Sequence, residues 1–273
     1  MFEKESSLQM DLLSADNVCP GLNSKYFARN YYYFREIDST NLKAQELAAS
    51  GAPEGTVVVA ETQTAGRGRR GRNWYSPEGQ GIYVTVVLRP ALPLHEVSRI
   101  SQVAAVAVAE TLQEELKLPA RIKWPNDILI RGKKIAGILS EASIRKDHIQ
   151  YVVTGIGLNI NNRIEEFPDD LRTAPTSARA ENHIIISRVQ VLQGLLSRFE
   201  KHYDQLLQGG FNDILIRGRS LSQDIGRRVK FDTPDGYRIG QAIDLDEDGS
   251  LLVNDVLGTV NTVISGEINM LDK

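Results

Sequence analysis

The chain has 273 residues, of which 41% are hydrophobic and 25% charged, and its formal net charge is -3. That length supports one large domain plus a small one around a substantial core, and the charge balance excludes the broad basic field of an ordinary nucleic-acid binder. The single cysteine, Cys19, excludes an internal disulfide, and His95, His148, His183 and His202 are too far apart in sequence to suggest a metal site.

No apolar run reaches the 18 or so residues of a membrane span, and "MFEKESSLQM" has no apolar core behind a basic segment. No secretory signal is visible, and a cytoplasmic protein is expected. Residues 1–29 read as a tether or a docked extension, with one amphipathic turn in "LQMDLL" (8–13). In "YYYFREI" (31–37) aromatic and β-branched residues predict a strand, and "DSTN" then offers Asp38, Ser39 or Thr40 as the cap of a helix running to Gly51. "TVVVAETQ" (56–63) and "GIYVTVVLRP" (81–90) predict core strands, so "AGRGRRGRNW" (65–74) is the loop between them. Leu94 to Leu116 is Ala-rich with a helical pattern. "ARIKW" and "DILI" predict strands interrupted at Pro125-Asn126; "RGKK" predicts a turn into "IAGILSEASI", and "IQYVVTGIGLNIN" (149–161) continues the meander. A helix is predicted from Ser187 to about Gln208. Past residue 219, short β-runs separated by "PDG" and "DEDG" predict a small barrel of roughly 50 residues. Strands and helices mix without the regular alternation of a doubly wound sheet.

Three readings compete for "GRGRRGRNW": a solvated loop, a nucleic-acid patch, and a loop that closes over a small phosphorylated ligand. Four like charges within six positions repel one another and call for an anion. Arginine's planar fork matches phosphate or carboxylate oxygens, and glycine lets backbone N–H groups approach closely. Such a loop is expected to be mobile when empty and ordered by its anion. It is neither a P-loop nor a dinucleotide fingerprint. In "RIKWPNDILI", Lys123, Asn126 and Asp127 bracket a proline bend, a cluster that reads equally well as a capped turn. In "GKKIAGIL", alternation puts Lys134 on the face of Ala136 and Ile138, pointing into a pocket or, as is commoner for a hairpin lysine, into solvent. Gly155-x-Gly157 lacks the third glycine of a dinucleotide site, although Asn159 at the strand end can contact a nucleotide.

Taken together and in this order, "STN" (39–41), "ETQTAGRGRRGRNW" (61–74), "KWPND" (123–127), "KKIAGIL" (133–139) and "GIGLNIN" (155–161) closely resemble the biotin protein ligases. "SGEINM" looks like the closing segment of that family's C-terminal barrel. The resemblance covers roughly residues 30–273. It implies an α+β fold: a mixed β-sheet with helices, related to that of lipoate ligases, over 30–218, and an SH3-like β-barrel over 219–273, behind an N-terminal extension or linker at 1–29. It also implies an enzyme that forms biotinyl-5'-adenylate from biotin and ATP with Mg2+, then transfers biotin to one lysine of a biotin carboxyl carrier protein. A lipoate-type ligase on the same fold and an RNA-binding module built on the basic loop are the alternatives.

Carried over by motif, Ser39, Thr40, Asn41 and Gln63 line the biotin site, Arg67, Gly68 and Arg69 hold the carboxylate and phosphate side, and Lys134 neutralises the biotin carboxylate or acyl phosphate. Arg69, Arg72, Trp74, Asn126 and Asn159 are the nucleotide candidates; Lys123 and Asp127 join Arg69 and Lys134 at the reacting centre. No protein cluster is expected to hold a metal directly. About 30 residues precede "YYYFREI", too few for the winged helix-turn-helix of some family members, so a single-function ligase without a DNA or membrane partner is expected. A homodimer is left open.

Overall fold

The β-branched and aromatic runs pair into one mixed sheet. The computed structural model describes residues 11–233, 236–264, 266 and 268–271. Its first strands are β1 (Tyr31–Ile37), β2 (Val57–Gln63), β3 (Gly81–Leu88), β4 (Ala120–Lys123), β5 (Asp127–Ile130), β6 (Lys133–Arg145) and β7 (His148–Asn159). Among the described residues these seven lie in the order β1-β2-β3-β7-β6-β5-β4. The β1–β2 pair is parallel and the others are antiparallel. The helices are α1 (Ala15–Val18), α2 (Thr40–Ala49), α3 (Arg99–Leu116), α4 (Ala178–Asn182), α5 (Arg188–Leu207) and α6 (Phe211–Leu221).

A parallel pair needs a crossover, and α2 supplies it between β1 and β2. Alternation along β2 then divides the core. Val57 and Val59 join the large cluster containing Val103, Ala104 and Ala107 of α3, whereas Val58 packs with Ala44 and Ala48 of α2. Every residue of β3 is buried because both faces of the sheet are covered. The small side chains of α3 let that helix sit against the sheet, α5 and α6 at once, and it ends at Lys117, whose φ of 57° is left-handed, shortly before Pro119.

The N-terminal segment is docked rather than a free linker. Leu13, Val18 and Phe27 are buried. Arg188 of α5 bonds Asp11 at 2.8 Å and Glu61 of β2 at 2.7 Å, and Glu61 also accepts the Leu13 N–H at 2.8 Å. Glu200 accepts the backbone N–H groups of Lys25, Tyr26 and Phe27 at 2.6, 2.8 and 2.7 Å. Residues 8–10 of the turn expected in "LQMDLL" lie outside the described residues.

The C-terminal strands β8 (Arg228–Thr233), β9 (Gly236–Leu245), β10 (Leu251–Asp255), β11 (Val260–Val263) and β12 (Ile268–Met270) form an antiparallel sheet in the order β11-β10-β9-β8-β12, in keeping with the expected SH3-like barrel. In the "DEDG" turn, Asp246 accepts the N–H groups of Asp248 and Ser250, and Gly249 takes a φ of 80°. Pro234 and Asp235 of the "PDG" turn are outside the described residues. A boundary at 219 falls inside α6, which no sequence pattern announced; the helix runs on to Leu221 and the barrel begins at Arg228.

Glu200→Ala should leave three N–H groups, that of Phe27 buried and those of Lys25 and Tyr26 partly so, without their acceptor and cost roughly 2–4 kcal/mol in urea unfolding; a change below about 1 kcal/mol would show that water replaces the carboxylate.

Candidate functional site

The arginine-rich loop is a small hairpin. Arg67 and Asn73 form a bridge, Gly68 N–H donates to Arg72 O at 2.7 Å, and Trp74 N–H donates to Gly66 O at 2.8 Å. At its tip Arg70 takes a left-handed φ of 56° beside Gly71. The loop thus carries more backbone order than its glycine content suggests. Its charges meet local partners as well: Arg67 pairs with Glu141 at 3.2 Å, Arg70 with Asp232 on β8 at 3.2 Å, and Arg69 donates to Asn126 at 3.2 Å. Burial, and then neighbouring Arg70, pull the Arg69 guanidinium below its ordinary pKa; burial and Arg172 do the same to Arg72.

Beneath the hairpin lies a polar recess. Thr40 donates its N–H and its hydroxyl to Gln63 Oε1 at 2.9 and 3.1 Å, Gln63 Nε2 donates to Ser76, and Thr85 Oγ1 donates to Thr40 Oγ1 and Asn41 Oδ1 at 2.9 and 2.8 Å. Asn41 Nδ2 is spent on Leu139 O and Glu141. Asn41 and Thr40 therefore build the wall by bonding protein, whereas Ser39 Oγ is buried and without a partner among the described residues.

Gly155 and Gly157 of β7 and Gly137 of β6 give the recess a bare floor. A Cβ on Gly155 would run into Asn41, and one on Gly157 into Trp74, whose indole lies across both Gly157 and its cross-strand partner Gly137. Simple alternation misplaces Lys134: the register slips between Ile128 and Leu129, and the bulge turns Lys134 to the side of Gly137 while Ala136 and Ile138 enter the core. There its ammonium lies 2.7 Å from Asp127 and 5.4 Å from the Trp74 ring centroid.

All the residues expected at the site except Asn159 line one cavity of about 220 Å³. Asn159 lines an adjoining cavity of about 720 Å³, bounded also by Phe167 and Arg172. Trp74, Asp127 and Lys134 belong to both and mark the junction. Asn159 donates to Thr176 O, but its Oδ1 is buried and lacks a partner among the described residues, as does Trp74 Nε1. Asp127, expected at the reacting centre, is held by the Lys134 ammonium.

Several site residues escaped the sequence reading. Thr85 is a hydroxyl in an otherwise apolar buried run, which is a usable signal. Glu141, Ser76, Arg172 and Thr173 are distant in sequence, and the barrel adds Gly266, Ile268 and Asn269 to the cavity wall. Asp224, fully buried, accepts the Trp124 N–H at 2.6 Å. Burial pushes its carboxyl up to about 7, against the opposing effects of that hydrogen bond and of Lys123. No cluster of three or more His, Cys, Asp or Glu side chains that could hold a metal occurs among the described residues, and no helix there is long and apolar enough to cross a membrane.

Residues 33–159 match the Biotin/lipoate A/B protein ligase family. The bifunctional ligase/repressor BirA of Bacillus spizizenii is 38% identical over 258 residues, 94% of this chain and 79% of that protein. The biotin–[acetyl-CoA-carboxylase] ligase of Mycobacterium tuberculosis is 34% identical over 85% of this chain and 86% of that one. The solved biotin protein ligase of Aquifex aeolicus in complex with biotin and ATP superposes with a TM-score of 0.77 at 29% identity, covering 90% of this chain and all of that one.

The folded Asp224 carboxyl keeps its proton to about pH 7, whereas the unfolded one gives it up near 3.8. Its contribution to stability is therefore fully present below 3.8 and lost as pH rises toward 7. The stability of Asp224→Asn relative to wild type should increase by roughly 2–3 kcal/mol between about pH 5 and pH 8; a pH-independent difference in denaturant unfolding would contradict this.

Proposed function

The chain belongs to the biotin protein ligase family, and from that premise we propose that it joins biotin to ATP as biotinyl-5'-adenylate and then passes biotin to one lysine of a biotin carboxyl carrier protein in the cytoplasm. The observation that carries the reading is the junction of the two cavities. The first carries the neutral hydroxyls and amides of Ser39, Thr40, Asn41 and Gln63, suited to a ureido ring, beside the cations Arg69 and Lys134; the second offers Asn159 and an aromatic edge suited to a purine; and Lys134 and Arg72 line both.

In the first step a biotin carboxylate oxygen attacks the α-phosphorus of ATP, the bond to the β-phosphate oxygen breaks, and pyrophosphate leaves. Two anions must approach, and charge grows on the phosphoryl oxygens; Lys134 and Arg69 supply preorganised positive charge there. Asp127, 2.7 Å from the Lys134 ammonium, aims it. Mg2+ is expected to arrive on the ATP phosphates, since no acidic cluster among the described residues offers it a cage. In the second step the neutral amine of the carrier lysine attacks the acyl carbon, AMP leaves and the amine proton is lost. The hairpin at 66–74 shields the mixed anhydride from water until then.

Biotin-dependent exchange of labelled pyrophosphate into ATP tests the first step, and biotinylation of a purified carrier protein tests the second. Exchange with lipoate but none with biotin would overturn the assignment. Lys134→Ala should slow exchange by about 10- to 1000-fold; near-wild-type exchange would return Lys134 to a surface role. Arg69→Gly should speed escape of the adenylate by roughly 10- to 100-fold without unfolding the protein, and an unchanged dissociation rate would remove Arg69 from the anion site.

A further inference from the structure

The link between α6 and the barrel runs along the open edge of the large sheet. Ser222 forms a parallel bridge with Ile122 of β4, and Gln223 N–H donates to Ile122 O at 2.8 Å. At the next position a side chain takes over from the backbone: the Asp224 carboxylate accepts the Trp124 N–H at 2.6 Å. Trp124 has a second N–H, on its indole, which donates to Gly249 O of the "DEDG" turn at 3.1 Å. Both N–H groups of this buried tryptophan are thus held from beyond α6, one by the link and one by the barrel.

The polar turn of the site begins directly after Trp124. The Trp124-Pro125 peptide is cis. Asn126 then exchanges hydrogen bonds with Ile138, accepting its N–H and donating Nδ2 to its carbonyl, both at 2.9 Å, while its Oδ1 receives Arg69. Asp127 holds Lys134. The chain of contacts therefore runs from Asp224 through Trp124 to the partners of two cations that line the cavity, Arg69 and Lys134. A backbone carbonyl would satisfy the Trp124 amide as well, and burying a carboxyl group with one oxygen unpaired is costly. Asp224 leaves one oxygen without a partner among the described residues, and the site cation Lys123 lies within its electrostatic reach.

We propose that Asp224 is a positioning residue for adenylation, fixing the turn from Trp124 to Asp127 so that Arg69 and Lys134 stand correctly against the ATP phosphates. The inference rests on the ligase reading and concerns the nucleotide half of the site. The turn lines the same cavity as the biotin recess, but the hydrogen bonds that hold Thr40, Asn41 and Gln63 run to one another and to Ser76, Thr85, Leu139 and Glu141, not to this turn.

The test is biotin-dependent pyrophosphate exchange by the full chain, with ATP and biotin varied in turn. Asp224→Ala should lower kcat/KM for ATP by roughly 10- to 100-fold, with the KM for biotin within about twofold of wild type. Asp224→Asn, which keeps an acceptor for the Trp124 amide, should recover most of the loss. Unchanged ATP kinetics in folded Asp224→Ala would overturn the proposal, and so would equal damage to both substrates without recovery in Asp224→Asn. If Asp224→Ala fails to fold, Asp224→Glu, which shifts the carboxylate by one methylene, must show the same selective loss for ATP. Absence of exchange by the wild type would sink the ligase reading itself; exchange by the wild type with an indifferent Asp224→Ala would sink only this inference.

Discussion

On the pocket face of β6 and β7 the backbone is bare at Gly137, Gly155 and Gly157, and two large groups occupy the space that side chains would have filled. Trp74 lies across the first and third and Asn41 against the second. Because Gly137 and Gly157 are direct cross-strand partners, one missing side chain would not suffice; the indole needs both strands clear. Trp74 in turn anchors the end of the arginine hairpin, and Asn41 ties α2 to Thr85, Leu139 and Glu141. The polar wall, the hairpin and the position of Lys134 all depend on the way these two groups seat on the sheet.

The cations over that floor are not left to repel one another. Glu141, Asp127 and Asp232 come from three different strands, β6, β5 and β8, and each meets one Lys or Arg of the site. Repulsion still shows in the lowered pKa values of Arg69 and Arg72, where burial and neighbouring arginines act together. Exposed pairs such as Arg70–Asp232 add little stability, so their value lies in orientation.

The sequence was legible wherever one local pattern dominated. Alternation and β-branching marked β1, β2, β3 and β7, and the Ala-rich period marked α3. The motif residues converge on one cavity because they lie at strand ends, in the arginine hairpin, in the first turn of α2 and on the bare stretch of β7. The features that stayed hidden depend on partners that sequence does not bring together. The β6 bulge reverses the face of Lys134, the wall residues Glu141 and Ser76 act through distant Asn41 and Gln63, and α6 hides behind "QGG" with a glycine at 218. The sequence left the N-terminal segment open between a tether and a docked extension because its docking depends on Arg188 and Glu200, which are 177 and 174 positions away from their partners Asp11 and Tyr26.

The strand β4 ends the seven-stranded sheet, and the backbone of its edge is met at Ile122 and, one residue past the strand pair's end, at Trp124. An uncovered strand edge is a template for pairing with any other extended chain. The link at 222–224 occupies it with one parallel bridge, one backbone hydrogen bond and one carboxylate. The same three residues therefore guard solubility: a catalytic half severed after α6 would present an adhesive strand, which binds the two halves of the molecule into one unit of protein quality control.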